Sequence, residues 1–559
     1  MDQMTIYLGA DRIISACGVS TEETFEAILR GKLGVKQICD PKLSPVPLMA
    51  GRIDRSGFTN DDQHPFLEQI LRSAIESVVG ESGVDPKTHR TGLVIATTKG
   101  NIESLSESLA PHQRCFIAES MERVAQEMGF AERPVVISNA CISGIVALIV
   151  ARRLMLAGLY DDVIVAGVDV LSEFVVSGFQ SFKSVSDQVC KPYDAQRKGL
   201  SLGEACGAVV LTKDPKKAKS RPVVLAGGAL SEDANHLSAP SRTGAELAQA
   251  MTQAMEEAGI EPSQIDFVNA HGTATAYNDE MESKAIYLAG LIDKPLNSLK
   301  PYLGHTLGAS GIVETILSAE ELRQGVLFGT AGFEECGVPH PVNVASEHRH
   351  LEMKSALKSG SGFGGCNAAV VLTREKVVSE ALTPIQGVMT SAEYSLEGEG
   401  DFAERIRAEY KALGRPNMRF FKMDDLEKLG YVAAEKLLAD RGLVERYGAS
   451  RVGIILANHA ASLATDCRHQ EVVNEHHEEG ASPAIFVYTL PNIVAGEISI
   501  RYGVKGESIF FVEREMKDSF AEKYARELVA CGILDAVLTG WCDYLNGKYS
   551  VHFNILEKQ

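Results

Sequence analysis

The stretch Ser138-Asn139-Ala140-Cys141-Ile142-Ser143-Gly144 decides the fold. Before it, Pro134-Val135-Val136-Ile137 is a short β-branched run that reads as a buried strand. After it, Ile145-Val146-Ala147-Leu148-Ile149-Val150-Ala151 reads as a buried helix. Cys141 is therefore expected on a sharp strand-to-helix turn, with backbone N–H groups and the positive end of the helix dipole aimed at its sulfur. That placement favours thiolate, the nucleophilic form. Gly144 is expected to remove bulk where a ligand approaches the backbone. The same residues would also suit a small buried cysteine packed under a helix, so its role turns on what lies elsewhere.

Working outward, Gly92-Leu93-Val94-Ile95-Ala96 and Asp162-Val163-Ile164-Val165-Ala166-Gly167 flank the cysteine segment as further buried strands. Strands alternate with helices, which implies a parallel sheet covered on both faces. A second strand–helix series starts at Pro222-Val223-Val224-Leu225 and ends near residue 376. The 559 residues suffice for three domain-sized units, and 45% hydrophobic with 23% charged residues is an ordinary globular balance. The net charge of −19 argues against nucleic acid as a partner. No apolar run approaches the roughly 18 residues that a membrane span needs. Eleven cysteines without CxxC or zinc spacing read as reduced thiols, so a cytoplasmic location is expected and no metal.

Two histidine motifs follow. His271-Gly272-Thr273-Ala274-Thr275 comes directly after the buried strand 265–270, at the carboxyl edge of a sheet. Gly304-His305-Thr306-Leu307-Gly308-Ala309-Ser310-Gly311 puts a second histidine in a Gly-rich loop that opens a helix, with Lys300 before it and Glu314 after it. A further Gly-rich loop, Gly362-Phe363-Gly364-Gly365-Cys366-Asn367, enters a strand. Either histidine alone would suit a structural role; the combination and order are far more specific.

In that combination the chain resembles the β-ketoacyl-acyl-carrier-protein synthases of the elongating, Cys-His-His type, over roughly residues 4–375. Lys191-Pro192-Tyr193-Asp194 through Gly203-Glu204 is similar to the family's loop between its halves. The resemblance implies a thiolase-like, five-layered αβαβα fold of two similar halves, here residues 1–218 with the nucleophile and 219–376 with both histidines. It implies that Cys141 takes an acyl group from a carrier thioester, and that His271 and His305 hold the enolate oxygen formed when malonyl thioester loses carbon dioxide. It further implies that Lys300 biases the charge around the histidines and Glu314 orients their loop. Phe363 would serve as gate and, with Cys141, as backbone oxyanion donor, while Thr273 and Thr275 would contact phosphopantetheine. No cofactor bound by the chain itself is expected, since the substrates ride on the phosphopantetheine of an acyl carrier protein. That acidic partner would need a local basic patch on so acidic a chain. A homodimer or a synthase heterodimer is the expected assembly.

The chain departs from the family pattern at Ser361, often Phe, at Cys366, usually Thr, and at Ile142-Ser143, which leaves the acyl chain open among fatty acid, polyene and polyketide substrates. Two other functions remain as alternatives. One is a thiolase-type acyl transferase using CoA, with Cys366 in a late Gly-rich loop. The other is a non-catalytic, chain-length-factor-like partner subunit, against which the retained Cys141, His271 and His305 argue.

Residues 384–559 read as a third unit. Gly453-Ile454-Ile455-Leu456-Ala457 echoes Gly92 to Ala96, and Ala525-Arg526 followed by Asp535 to Gly540 echoes Ala151-Arg152 followed by Asp162 to Gly167. Aligning the Ala-Arg pairs sets Glu515 opposite Cys141, so this unit resembles an N-terminal half without its nucleophile. Thr489-Leu490-Pro491-Asn492 through Tyr502-Gly503 resembles the family's helical stretch ahead of the nucleophile strand. A structural or partner-docking role is expected. His459 and the pair His476-His477 are expected to be solvated, and Trp541 to be packing.

Overall fold

The computed structural model describes residues 3–59, 64–106, 108–475 and 481–559. Among these, fifteen strands join edge to edge, and they fall into three sets of five. The first set is β1 (Tyr7–Ser15), β2 (Thr91–Ala96), β3 (Val135–Ile137), β4 (Asp162–Asp169) and β5 (Ala205–Thr212). The second is β6 (Val224–Glu232), β7 (Phe267–Asn269), β8 (Leu296–Asn297), β9 (Ser355–Gly362) and β10 (Cys366–Thr373). The third is β11 (Val388–Glu399), β12 (Val452–Asn458), β13 (Ser508–Val512), β14 (Ala536–Leu545) and β15 (Lys548–Lys558).

Each set runs first-fifth-fourth-second-third, which gives β1-β5-β4-β2-β3, β6-β10-β9-β7-β8 and β11-β15-β14-β12-β13. In all three the fifth strand is antiparallel to both neighbours, and the fourth, second and third are parallel. The central strands β2, β4 and β5 are buried at every residue, as apolar runs covered on both faces must be.

Helices complete the layers. α1 (Phe66–Ser82) covers the outside of the first sheet and α3 (Ala245–Ala258) the outside of the second. Between the two sheets lie α2 (Ser143–Leu156) and α4 (Ser310–Gln324), which makes the five-layered, thiolase-like arrangement. Every residue of α2 is buried. The starts of α2 and α4 cross at glycine: a Cβ on Gly144 would come 2.8 Å from the Gly308 carbonyl oxygen, and one on Gly311 2.4 Å from the Ile145 nitrogen. Gly144 therefore makes room for α4 and not for a ligand, a correction to the sequence reading. The Ser20 hydroxyl accepts from the Glu23 N–H and caps the helix Thr21–Leu29.

The third set has α5 (Asp425–Leu438) and α6 (Ile493–Tyr502) on one face and α7 (Phe520–Ala530) on the other. α7 holds the place of α2 but is amphipathic. It buries Ala521, Tyr524, Ala525, Leu528 and Val529 and keeps Lys523 exposed and Glu522, Arg526 and Glu527 partly exposed. A helix at a water boundary needs such a polar face; one between two sheets does not.

The first and third sheets meet at their third strands. β3 runs antiparallel to β13, with Ile137 opposite Phe511. Asn139, just past β3, prolongs the ladder with its side chain: its Nδ2 donates to the Ser508 carbonyl (3.2 Å) and its Oδ1 accepts from the Phe510 N–H (2.8 Å). Behind this seam Arg153 of α2 donates to both carboxylate oxygens of Glu507 (2.6 and 2.7 Å) and to the Tyr524 hydroxyl (3.0 Å), all buried.

Removing one partner of a buried ion pair strands the other charge. Glu507→Ala is accordingly expected to lower unfolding stability by about 3–5 kcal/mol, whereas the apolar pair Arg153→Met with Glu507→Leu should fall far short of that loss. Denaturant unfolding followed by far-UV circular dichroism measures both; equal losses in the two variants would contradict the assignment.

Candidate active site

The cysteine turn is built by backbone strain and one serine. Ala140 lies in the left-handed region at φ 49°, costly for a residue with a Cβ. The Ser143 hydroxyl holds it there, donating to the Ala140 carbonyl (2.6 Å) and accepting from the Asn139 N–H (2.8 Å). Cys141 follows in a single 3-10 turn, Ala140–Ile142, that leads into α2.

His271 follows β7, and buried carboxylates hold its loop. Glu282 accepts from the His271 and Gly272 N–H groups (both 2.8 Å), and Asp279 from those of Thr273 and Ala274 (3.1 and 3.2 Å). His305 is pinned between the halves: its N–H donates to the Ser201 carbonyl (2.7 Å), and its carbonyl accepts from the Gly203 N–H (3.0 Å). The Ser310 hydroxyl lies 3.1 Å from His305 Nδ1 and already accepts from the Thr306 N–H. The Thr306 hydroxyl, 3.0 Å from the same Ser310 oxygen, completes a small hydroxyl network that holds the ring at Nδ1.

These groups converge. The His271 and His305 rings stand edge to face, 5.2 Å between centroids. Cys141, His271, His305, Thr273, Thr275 and Phe363 all line one cavity of about 320 Å³, whose mouth carries the exposed Tyr277. The Thr273 and Thr275 hydroxyls are 2.9 Å apart. Behind Cys141 lies a second, apolar space of only about 20 Å³, between Val175, Phe179 and Phe363 and, from the third set, Phe486 and Leu490. That is room for roughly one water molecule.

Lys300 and Glu314 line no wall of the cavity; they lie beneath it. Lys300 Nζ donates to Glu314 Oε1 (2.9 Å), and Lys358 Nζ pairs with Glu314 Oε2 (2.6 Å), all three fully buried. Lys300, bound to Glu314, opens the short helix Lys300–Leu303 that leads into the histidine loop. Two ammonium groups on one carboxylate leave an excess of positive charge. Burial, Lys300, His305 and Lys358 hold His271 well below the usual imidazole range. Burial and Lys300 push His305 down to about 3. Both rings are neutral N–H donors at pH 7. Sequence reasoning missed Lys358, although a lysine inside a buried strand, as in Ala356-Leu357-Lys358-Ser359, is itself a signal.

The thiol departs from expectation. Burial pushes Cys141 up to about 12; Lys300 and the backbone N–H groups oppose this, and Asp169 adds to it. A helix start is worth at most about 2 kcal/mol, or about 1.5 pH units, so desolvation wins. Burial thus favours the protonated thiol of Cys141 at rest.

Of the positions where the chain departs from the family, Ser361 lines the cavity and donates to Asn367 Oδ1 (2.8 Å). Cys366 is buried off the cavity, with its Sγ near the Phe363 carbonyl (3.4 Å), and therefore does not face the substrate space that a second thiolase cysteine would need. Glu515 bonds Arg133 at the surface (3.1 Å), far from any such cavity. His459 is not solvated: it binds Glu119 (2.5 Å) and stacks on Phe116, 4.6 Å between centroids, clasping the third set to the first. Trp541 is packed, donating to Ser550 (3.2 Å). His476 and His477 lie outside the described residues. Among the described residues no helix is long and apolar enough to cross a membrane, and no cluster of metal-binding side chains occurs.

Comparison with known proteins places these features. The family described as "Beta-ketoacyl synthase, N-terminal domain" matches residues 60–217 and 397–512, and "Beta-ketoacyl synthase, C-terminal domain" matches residues 223–334. A putative polyketide beta-ketoacyl synthase 1 of Streptomyces halstedii is 32% identical over 345 residues, covering 55% of this chain and 81% of its own. The ketosynthase ApeO, solved with its chain length factor ApeC from Xenorhabdus doucetiae, superposes with a TM-score of 0.60 at 26% identity, over 66% of this chain and 98% of its own. The PfaC keto synthase-chain length factor superposes with a TM-score of 0.79 over 99% of this chain and 78% of its own; at 15% identity that likeness is one of fold.

A neutral thiol has a signature. Alkylation of Cys141 by iodoacetamide, followed by intact mass, is expected to speed up about tenfold per pH unit from pH 6 to 10, because only the rising thiolate fraction reacts. A rate that levels off near pH 7 would mean a depressed thiol.

Proposed function

The chain belongs to the β-ketoacyl synthase family, and on that premise we propose that residues 1–376 condense an acyl group held on Cys141 with a malonyl unit carried by acyl carrier protein, in fatty acid or polyketide biosynthesis. The single observation that carries this reading is the convergence of one thiol and two neutral imidazoles on one cavity, from opposite halves of a five-layered fold.

The chemistry runs through groups already described. The Cys141 sulfur attacks the acyl thioester, and the phosphopantetheine thiol leaves with the proton. The sulfur must shed that proton during attack, since burial keeps it bound at rest. Malonyl thioester then enters past Thr273 and Thr275. As carbon dioxide departs, negative charge builds on the thioester oxygen, where two N–H groups from His271 and His305 can meet it. Neutral rings suit this task, because an imidazolium would transfer its proton and quench the carbanion. Burial first, and then Lys300 and Lys358, keep them neutral, against the opposing pull of Glu314 on His305. The carbanion attacks the acyl carbonyl on Cys141, and the new oxyanion falls to the backbone N–H groups of Cys141 and Phe363. Those two segments touch: a Cβ on Gly362 would lie 3.3 Å from the Cys141 nitrogen. The oxyanion collapses and breaks the acyl–sulfur bond; Cys141 leaves as thiolate and takes a proton from solvent, and the β-ketoacyl chain stays on the carrier. One carbon–carbon bond and one S–H bond form as the bond to carbon dioxide and the acyl–sulfur bond break.

The third unit, residues 384–559, we read as standing in cis where a chain length factor stands beside its ketosynthase. The pairing of β3 with β13 inside one chain supports this, as does the surface position of Glu515. It carries no nucleophile and is not acylated. Carrier protein docks at the mouth marked by Tyr277, where Arg197 donates to the Ala276 carbonyl (3.3 Å) and supplies local positive charge on an acidic chain.

Intact mass after incubation with acyl-carrier protein tests the role of the thiol. Cys141→Ala removes one sulfur and should keep the fold while abolishing the adduct; an adduct that persists removes Cys141 from its role. His271→Ala and His305→Ala should still acylate but lose about 10²–10³-fold in carbon dioxide release from malonyl-carrier protein. Parent-rate release from either variant would overturn the two-imidazole site.

A further inference from the structure

We propose that the third unit acts on the gate: Asn492, at the start of α6, is a positioning residue that holds the Phe363 turn closed over Cys141. The proposal rests on the reading of Phe363 as gate and of Cys141 as acyl carrier.

Asparagine at a helix start ordinarily caps, with its side-chain oxygen accepting from the first amides. Asn492 does not. It makes no capping bond, and its Oδ1, buried, has no hydrogen-bond partner among the described residues. Its amide is spent elsewhere: Nδ2 donates to the Phe363 carbonyl (2.8 Å), across the seam between the third unit and the catalytic halves. A buried asparagine that leaves its acceptor idle to make that donation is placed for the gate, because an unmade bond in the interior is costly.

The neighbouring geometry agrees. Gly364, next to Phe363, sits at φ 98°, and a Cβ there would lie 2.6 Å from Asn492 Nδ2. One helical turn along α6, a Cβ on Gly496 would lie 2.6 Å from the Gly364 carbonyl oxygen. The first turn of α6 therefore lies flat on the gate. The ring of Phe363 is backed from the same side: it packs on Phe179 and Phe182 (centroids 6.0 and 5.5 Å), and both of these pack on Phe486 of the third unit (5.5 and 6.1 Å). With the turn held so, the space behind Cys141 is the 20 Å³ noted above, too small for an acyl chain. Loading a chain requires the turn to move, and the Asn492 bond opposes that movement.

The chain also keeps this device where it has work to do. The third unit, which has no nucleophile, retains Asn492 and Gly496. The corresponding helix of the first unit, Ile117–Glu127, starts at Phe116, and Phe116 stacks on His459. The first unit's helix start thus meets His459 of the third unit, whereas the third unit's meets the Phe363 turn beside Cys141.

The test uses the full chain with hexanoyl-pantetheine for acylation and malonyl-pantetheine for condensation. Asn492→Asp is isosteric and turns the donor into an acceptor facing a carbonyl. Acylation should become about fivefold faster, the size of one lost hydrogen bond in a two-state gate. Condensation kcat should fall about tenfold, because the displaced turn also carries a proposed oxyanion donor. Gly496→Ala, whose Cβ would meet the Gly364 carbonyl oxygen and push α6 off the turn, should show the same opposite movement when assayed at a temperature where circular dichroism shows the variant folded, and it decides the matter if Asn492→Asp folds poorly. Both steps changing by one common factor, or neither changing, overturns the clamp. A parent enzyme that never acylates overturns the underlying function instead, which is seen before any variant is made.

Discussion

The antiparallel contact of β3 with β13, continued by the side chain of Asn139, is the constraint from which the rest of the molecule follows. A three-residue strand is a weak edge, and an unpaired edge invites another chain. Here the edge is closed from within, and Asn139 imitates one more ladder residue by donating and accepting with its amide. The residue after next is Cys141. The same seam that satisfies the backbone therefore fixes the height and tilt of the nucleophile turn, and it carries Phe486, Leu490 and Asn492 up to the gate.

Electrostatics supply the second half of the design. Burying two lysines against one glutamate costs desolvation energy that a structural ion pair seldom recovers. The return lies in the neighbouring rings, which burial already holds neutral and the two ammonium groups hold so more firmly. The thiol obeys a different balance. Its turn points amides and a helix dipole at the sulfur, yet burial outweighs both. The thiol and the two imidazoles that line the cavity are held neutral, with charge kept one layer below them.

The third set shows how the same five-strand pattern survives at a water boundary. α2 is buried all round, even at Arg152 and Arg153, because a sheet lies on either side of it; α7, in the corresponding place, keeps its polar residues outward because no second half covers it. The asymmetry extends to function-bearing positions. Cys141, His271 and His305 lie on one side of the seam, and Phe486, Leu490 and Asn492 approach Phe363 from the other.

Much of this was legible in residue order alone. The apolar runs around residues 92–96, 135–137 and 162–167 are buried strands because central strands covered on both faces tolerate little else. Cys141, His271 and His305 announce themselves by glycine and hydroxyl neighbours that only tight turns at sheet edges require. The third unit's missing cysteine could likewise be read off directly. What local order could not carry was every property set by residues hundreds of positions apart. Gly144 meets α4, not a ligand. Lys358 completes a charge pair beneath rings with which it shares no motif. His459 is tied to Glu119, and the thiol is neutral rather than ionised. Desolvation and cross-unit contacts depend on which groups the folded chain brings near, and periodicity and spacing record only which groups are near along the chain.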